Sequence, residues 1–167
     1  MEEFFENELV TKFEEMIENS EELYFDTEEY EDIIIYYLEM GDISFAETAV
    51  RYALNLHPDS LEIKIKKFEV LLELENYTLA KELMDELKES SMESTDFLVC
   101  CAKYYSNLGN PRRAIEYCEA ALKLEEEENF LHNFMADEYV NLEDPFTALK
   151  HYQLALSFEH NDDYALE

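Results

Sequence analysis

YSNLGNPRRAIEYCEAA, residues 105–121, holds most of the information needed to read this chain. Gly109 suits a backbone leaving one helix with φ > 0, and Asn110 suits an N-cap whose side-chain oxygen accepts a first-turn N–H. Pro111 then takes the first helical position, where a missing N–H costs nothing. Moved by 34 residues in either direction, the same features return: Asp42, Asn76, Asn110 and Asp144 form one cap column, with Gly41 and Gly109 before two of them and Pro111 and Pro145 after two. Ala46, Ala80, Ala114 and Ala148 keep the same spacing, as do Ala53, Leu87, Ala121 and Ala155. Seven of the twelve alanines lie in these two columns, far from random placement. Tyr37, Leu71, Tyr105 and Tyr139 make a further column, and Met40, Leu74, Leu108 and Leu142 another.

A fixed period of this length dictates architecture before any motif does. Four uninterrupted repeats are expected at 27–60, 61–94, 95–128 and 129–162. A second cap column, Asp26, Ser60, Ser94, Glu128 and Asp162, splits each from the next. Glu128 is its poor cap and marks the junction expected to be least regular. Each repeat should be two helices of about 14 residues, roughly 20 Å long. A one-methyl side chain lets two helix backbones approach at the short end of the usual 8–10 Å spacing. Phe68, Leu71, Tyr105, Tyr139 and Tyr152 are placed to fill the space beside that contact.

This pattern resembles that of the tetratricopeptide repeat (TPR) family: 34 residues, a small residue at position 8, an aromatic at 11, alanine at 20 and 27, proline near 32. Ala102 and Ala136 keep position 8 small, whereas Ile34 and Phe68 do not; proline persists at position 32 only as Pro58. The resemblance implies an all-α fold, an α-solenoid of antiparallel helix pairs wound as a right-handed superhelix, and a non-catalytic role in binding proteins or peptides. It also implies a concave groove lined by positions 2, 5, 9, 12 and 13 of each first helix. These positions hold Glu28, Glu31, Ile35, Leu38 and Glu39; Glu62, Ile65, Glu69, Leu72 and Glu73; Asp96, Val99, Lys103, Ser106 and Asn107; and Phe130, Asn133, Asp137, Val140 and Asn141. Eight are acidic and one is basic, which favours a basic or mixed basic and apolar segment as partner. A carboxylate-terminated chaperone tail, which some members clamp, would meet repulsion from Glu28, Glu31 and Glu69.

The rest of the chain narrows the possibilities. With 12 Lys+Arg against 42 Asp+Glu the net charge is −30, which repels nucleic acid and anionic membrane surfaces. At 47% hydrophobic and 14% aromatic residues, the chain nonetheless has a core to bury. Two glycines cannot build a phosphate-cradling loop, and no Ser/Cys–His or zinc-ligand spacing stands out, so neither enzyme activity nor a metal or other cofactor is expected. Cys100, Cys101 and Cys118 read as reduced, buried thiols of a cytoplasmic protein, and His132 as a hydrogen-bonded core filler.

The ends carry separate expectations. Residues 1–26 contain an amphipathic stripe, Phe5, Leu9, Phe13, Met16 and Ile17, expected to cap the first repeat with Glu2, Glu3, Glu6, Glu14, Glu15 and Glu18 in solvent. Residues 163–167 read as the first turn of a truncated fifth repeat, so that the chain would be the start of a longer array. The alternative function is a scaffold that self-associates, as a homodimer, through an uncovered C-terminal face carrying Phe146, Leu154 and Leu156.

A chain this acidic repels itself when folded, and salt shortens that repulsion to about 8 Å at physiological ionic strength. The melting temperature is therefore expected to rise between low and moderate NaCl; a flat or falling trend in a calorimetric series would contradict this.

Overall fold

The computed structural model describes residues 8–124 and 129–164, the last six of these by backbone alone. Among them are nine α-helices and no strand: α1 Glu8–Asn19, α2 Thr27–Glu39, α3 Ile43–Leu56, α4 Leu61–Glu73, α5 Tyr77–Ser91, α6 Thr95–Asn107, α7 Pro111–Leu122, α8 Asn129–Asn141 and α9 Pro145–Tyr164. The fold is an all-α helical repeat of the solenoid class. Two compact units meet between Leu79 and Ala80, inside α5. In the first, α1 packs on α2, α2 on α3, and α4 on both α2 and α3. In the second, α6 packs on α7, α7 on α8 and α8 on α9.

The link between paired helices is the same hydrogen-bonded object four times. The N–H groups of Gly41 and Asp42 donate to the carbonyls of Leu38 and Tyr37, at 3.1 and 2.9 Å. The same pair of bonds recurs at Glu75 and Asn76, at Gly109 and Asn110, and at Glu143 and Asp144. This is the Schellman arrangement, which requires the residue after the C-cap to be left-handed. All four are, with φ of 72° at Gly41, 54° at Glu75, 69° at Gly109 and 59° at Glu143. The next residue caps the following helix: Asp42, Asn76, Asn110 and Asp144 accept from the N–H of Phe45, Leu79, Arg113 and Thr147 at 3.1–3.3 Å. Two residues thus end one helix and start another, and α2 with α3, α6 with α7 and α8 with α9 are packed as antiparallel neighbours. Met40, Leu74 and Leu108 sit at the C-caps of α2, α4 and α6 and stand exposed.

The second cap column works at three positions. Asp26 forms a reciprocal capping box with Glu29, each side chain accepting from the other's N–H at 2.9 Å. Ser60 and Ser94 accept from the N–H of Ile63 and Phe97. Glu128, with residues 125–127, lies outside the described residues. Asp162 caps nothing, because α9 runs through it to Tyr164 as one helix. The turn expected there is not formed, since Phe158–Tyr164 offers no glycine or proline to stop the helix; residues 165–167 lie outside the described residues.

Both alanine columns are sealed: Ala46, Ala80 and Ala114 are 0% exposed and Ala148 2%, while Ala53, Leu87, Ala121 and Ala155 are also buried. Around them Phe68 and Leu71 are buried, whereas Tyr105, Tyr139 and Tyr152 are only partly covered. In the second unit a ring stack repeats with the sequence, Tyr105 on Tyr117 at 5.5 Å and Tyr139 on His151 at 5.3 Å.

The N-terminal helix does pack on the first pair, through a stripe centred differently from expectation. Val10, Phe13 and Met16 are buried, while Leu9 and Ile17 are only half-covered; Phe5, Glu2, Glu3 and Glu6 lie outside the described residues. Phe13 is fully enclosed, its ring meeting Phe25, Tyr30 and Tyr52 edge-on at 6.1, 6.2 and 5.9 Å. Glu14 stays exposed and also accepts a hydrogen bond from the Tyr37 hydroxyl at 3.0 Å. Burial, reinforced by that carboxylate, pushes the Tyr37 phenol far above its ordinary range.

Left-handed backbone costs a side-chain-bearing residue roughly 1–2 kcal/mol, and glycine escapes it. Glu75→Gly and Glu143→Gly should therefore each stabilise the chain by about 1 kcal/mol in urea unfolding. Glu75→Gln and Glu143→Gln, which remove the charge and keep the Cβ, should give less than half of that gain.

Candidate functional site

The first unit brings two of the expected inner rows side by side, because α2 packs against α4. Glu28, Glu39, Glu62 and Glu73 are exposed, and Glu31, Ile35, Leu38 and Glu69 are half-buried. Ile65 and Leu72 are buried and offer no surface to a partner, contrary to expectation. Helix α4 packs on both α2 and α3, with its Ile63 and Val70 in the core they share. Two carboxylates of the rows are held by their surroundings. Lys66, itself nearly buried, lies 3.6 Å from Glu69. Hydrogen bonds from the Glu62 N–H and the Ser60 hydroxyl hold the Glu62 carboxyl below the usual carboxylate range.

In the second unit Asp96, Asn107, Phe130, Asp137, Val140 and Asn141 are exposed, and Val99, Lys103, Ser106 and Asn133 are half-buried. Asp96 also borders a cavity of about 610 Å³ with Ser94, Thr95 and Leu124. Asp137 accepts from the Tyr152 hydroxyl of α9, which holds that phenol above its ordinary range. One acidic residue was missed. Glu138 is 3% exposed on α8 and accepts from the Ser106 hydroxyl of α6, tying the two first helices together. Its column otherwise reads Tyr36, Val70 and Tyr104, so a carboxylate at an apolar position was the available signal.

A cavity of about 520 Å³ lies between α3 and α4, floored by Val50, Leu54, Val70 and Leu71 with Glu47, Arg51 and Lys67 at its edge. None of its lining residues belongs to the expected rows. Cys100, Cys101 and Cys118 are free and buried; burial pushes the Cys101 and Cys118 thiols up to about 12, so both stay protonated and unreactive at neutral pH. Among the described residues no three His, Cys, Asp or Glu side chains converge on a point where a metal could sit, and no helix is long and apolar enough to cross a membrane.

The C-terminal face differs from its expected composition. Phe146, Leu154 and Leu156 are all exposed, but Leu154 and Leu156 point about 160° apart around a helix. The stripe that exists is Phe146, Leu149 and Leu156, with Leu149 56% and Leu156 54% exposed. The counterpart of Leu149 one repeat earlier, Ile115 on α7, is 6% exposed because α8 packs there.

No protein-family model and no curated protein sequence matches the chain significantly. Solved structures do match in three dimensions. A MamA structure titled "MamA MSR-1 C2" aligns with a TM-score of 0.65 and 19% identity, over 95% of this chain and 97% of that one. MamA residues 41 to the end from Desulfovibrio magneticus RS-1 aligns with a TM-score of 0.65 and 23% identity, over 83% and 78%. A further MamA crystal structure aligns at the same TM-score with 15% identity, over 93% and 87%. MamA is a TPR-repeat protein, and the likeness gives this chain the same TPR-type helical scaffold.

Proposed function

We propose that the protein is a non-catalytic, cytoplasmic scaffold that binds proteins or peptides along the inner rows of its first helices and favours basic or mixed basic and apolar segments. The observation that carries this reading is that Glu28, Glu39, Glu62, Glu73, Asp96 and Asp137 of those rows are exposed while Ile35, Leu38 and Val99 beside them are half-covered. Glu28, Glu31, Glu62 and Glu69 supply negative potential on α2 and α4, with Ile35 and Leu38 as shallow apolar contacts. Asp96 and Asp137 do so in the second unit, where Val99, Lys103, Asn107, Asn133 and Asn141 add polar and apolar variety. Three buried thiols support a reducing compartment.

A peptide panel tests the reading. Lys/Arg-rich peptides with apolar anchors should bind more tightly than acidic ones, and reversing Glu31, Glu69 and Asp137 to Lys should weaken them at least tenfold. Reversing Glu47, Glu82 and Glu116 changes net charge equally outside the rows and should leave at least a third of the affinity. Equal losses from the two triple variants would reduce the rows to bulk charge.

A second reading rests on the exposed Phe146, Leu149 and Leu156 stripe: a second copy of the chain covers on α9 what α8 covers on α7. Light scattering over a concentration series should then report a dimer that Leu149→Glu with Leu156→Glu splits. A monomer at every concentration would dismiss this reading.

A further inference from the structure

Helices α8 and α9 are joined by a bond between two imidazoles. His132 Nδ1 lies 3.0 Å from His151 Nδ1. The ring centroids are 5.3 Å apart, the sum of two ring radii and that separation laid end to end, so the two nitrogens face each other along one line. Each ring is also fixed by a flat neighbour. Phe158 stacks on His132 at 5.7 Å and 4°, and Tyr139 stacks on His151 at 5.3 Å and 13°. Collinear nitrogens suit an N–H···N bond. A chelated metal would need the two lone pairs to converge at an angle, as tetrahedral ligands do.

Such a bond contains one proton. One ring must present Nδ1–H and the other a bare Nδ1. A first extra proton on the far nitrogen of the donor ring leaves the bond intact. A second must go to the acceptor nitrogen, which destroys the bond and leaves two cations in contact. We propose that the His132–His151 pair is an acid-sensitive latch that holds α9 on α8 at neutral pH and releases it when both rings are protonated.

The charged surroundings point the same way. For His132, burial first and the charge of His151 second push the imidazole below its ordinary range. For His151 burial does so, opposed by Glu119 of α7. The other ionisable groups nearby are engaged or turned to solvent: Asp137 of α8 accepts from Tyr152 of α9, Glu138 of α8 accepts from Ser106 of α6, and Lys150 of α9 is exposed. The native pair therefore binds fewer protons than the unfolded chain just below the ordinary His range. Its contribution is complete above about pH 6.5 and is lost as the pH falls from there. Over the same interval self-repulsion of a −30 chain weakens, so a local loosening of α9 runs against the trend of the whole molecule. The latch does not depend on the inner-row reading of function.

Hydrogen exchange on the whole chain, corrected for intrinsic rates, tests the latch between pH 7.5 and 4.5. Amides of 148–158 should lose at least tenfold protection across this range while those of α2 and α3 do not. His151→Phe keeps a ring on Tyr139 and should flatten the α9 response; His132→Gln serves the same purpose if that variant is poorly folded. An α9 response that is absent, or equal in wild type and both variants, overturns the latch. A rise in melting temperature with one equivalent of Zn²⁺ at pH 7.5, abolished by His132→Gln, would also overturn it by making the pair a metal site.

Discussion

The link that joins the two helices of each repeat constrains everything else in this protein. One residue goes left-handed, the next caps the following helix, and no slack remains. With so short a connection α2 and α3, α6 and α7, and α8 and α9 pack as antiparallel neighbours, and a methyl-sized side chain at positions 46, 114 and 148 lets their backbones close up. The turn chemistry and the alanine column are thus one device. Either alone would permit other packings; together they leave one. That glutamates at 75 and 143 take the same backbone as Gly41 and Gly109 shows that the packing, through the bonds to the preceding carbonyls, is strong enough to impose a conformation that a side chain resists.

Charge and burial are partitioned by that device. A chain at −30 keeps its carboxylates at the surface, so the apolar side of each helix carries the cohesion. Glu138, drawn inward, does structural work by accepting a hydrogen bond from Ser106, and the exposed Glu14 accepts one from Tyr37. On the inner rows Lys103 is the one basic residue among eight acidic ones. The MamA likeness, below 25% identity, speaks to the scaffold; the character of the surface comes from this chain's own residues.

The periodic stack in the second unit shows how a repeat can acquire a new property without losing its register. Tyr105 on Tyr117 becomes Tyr139 on His151 one repeat later, and the imidazole now reaches His132 across to α8. Phe158 of α9 closes the stack on His132. A packing position is converted into a titratable one with the geometry of the stack retained.

Helix existence and most helix starts were legible in the amino-acid order, because caps, glycines and alanines act through contacts within a few residues of themselves. The columns at 46 and 53, the N-caps from Asp26 to Asp144 and the buried cysteines needed no knowledge of neighbours. Tertiary structure alone decided which residues of an amphipathic face are consumed: Ile65 and Leu72 are buried, Val10 replaces Leu9 in the N-terminal seam, and Leu149 replaces Leu154 on the last stripe. It also decided the overrun of α9, the burial of Glu138 and the meeting of His132 with His151. A local pattern specifies the direction in which a side chain leaves its helix. What it meets there is set by another helix, whose distance and rotation are fixed only once the whole array has closed.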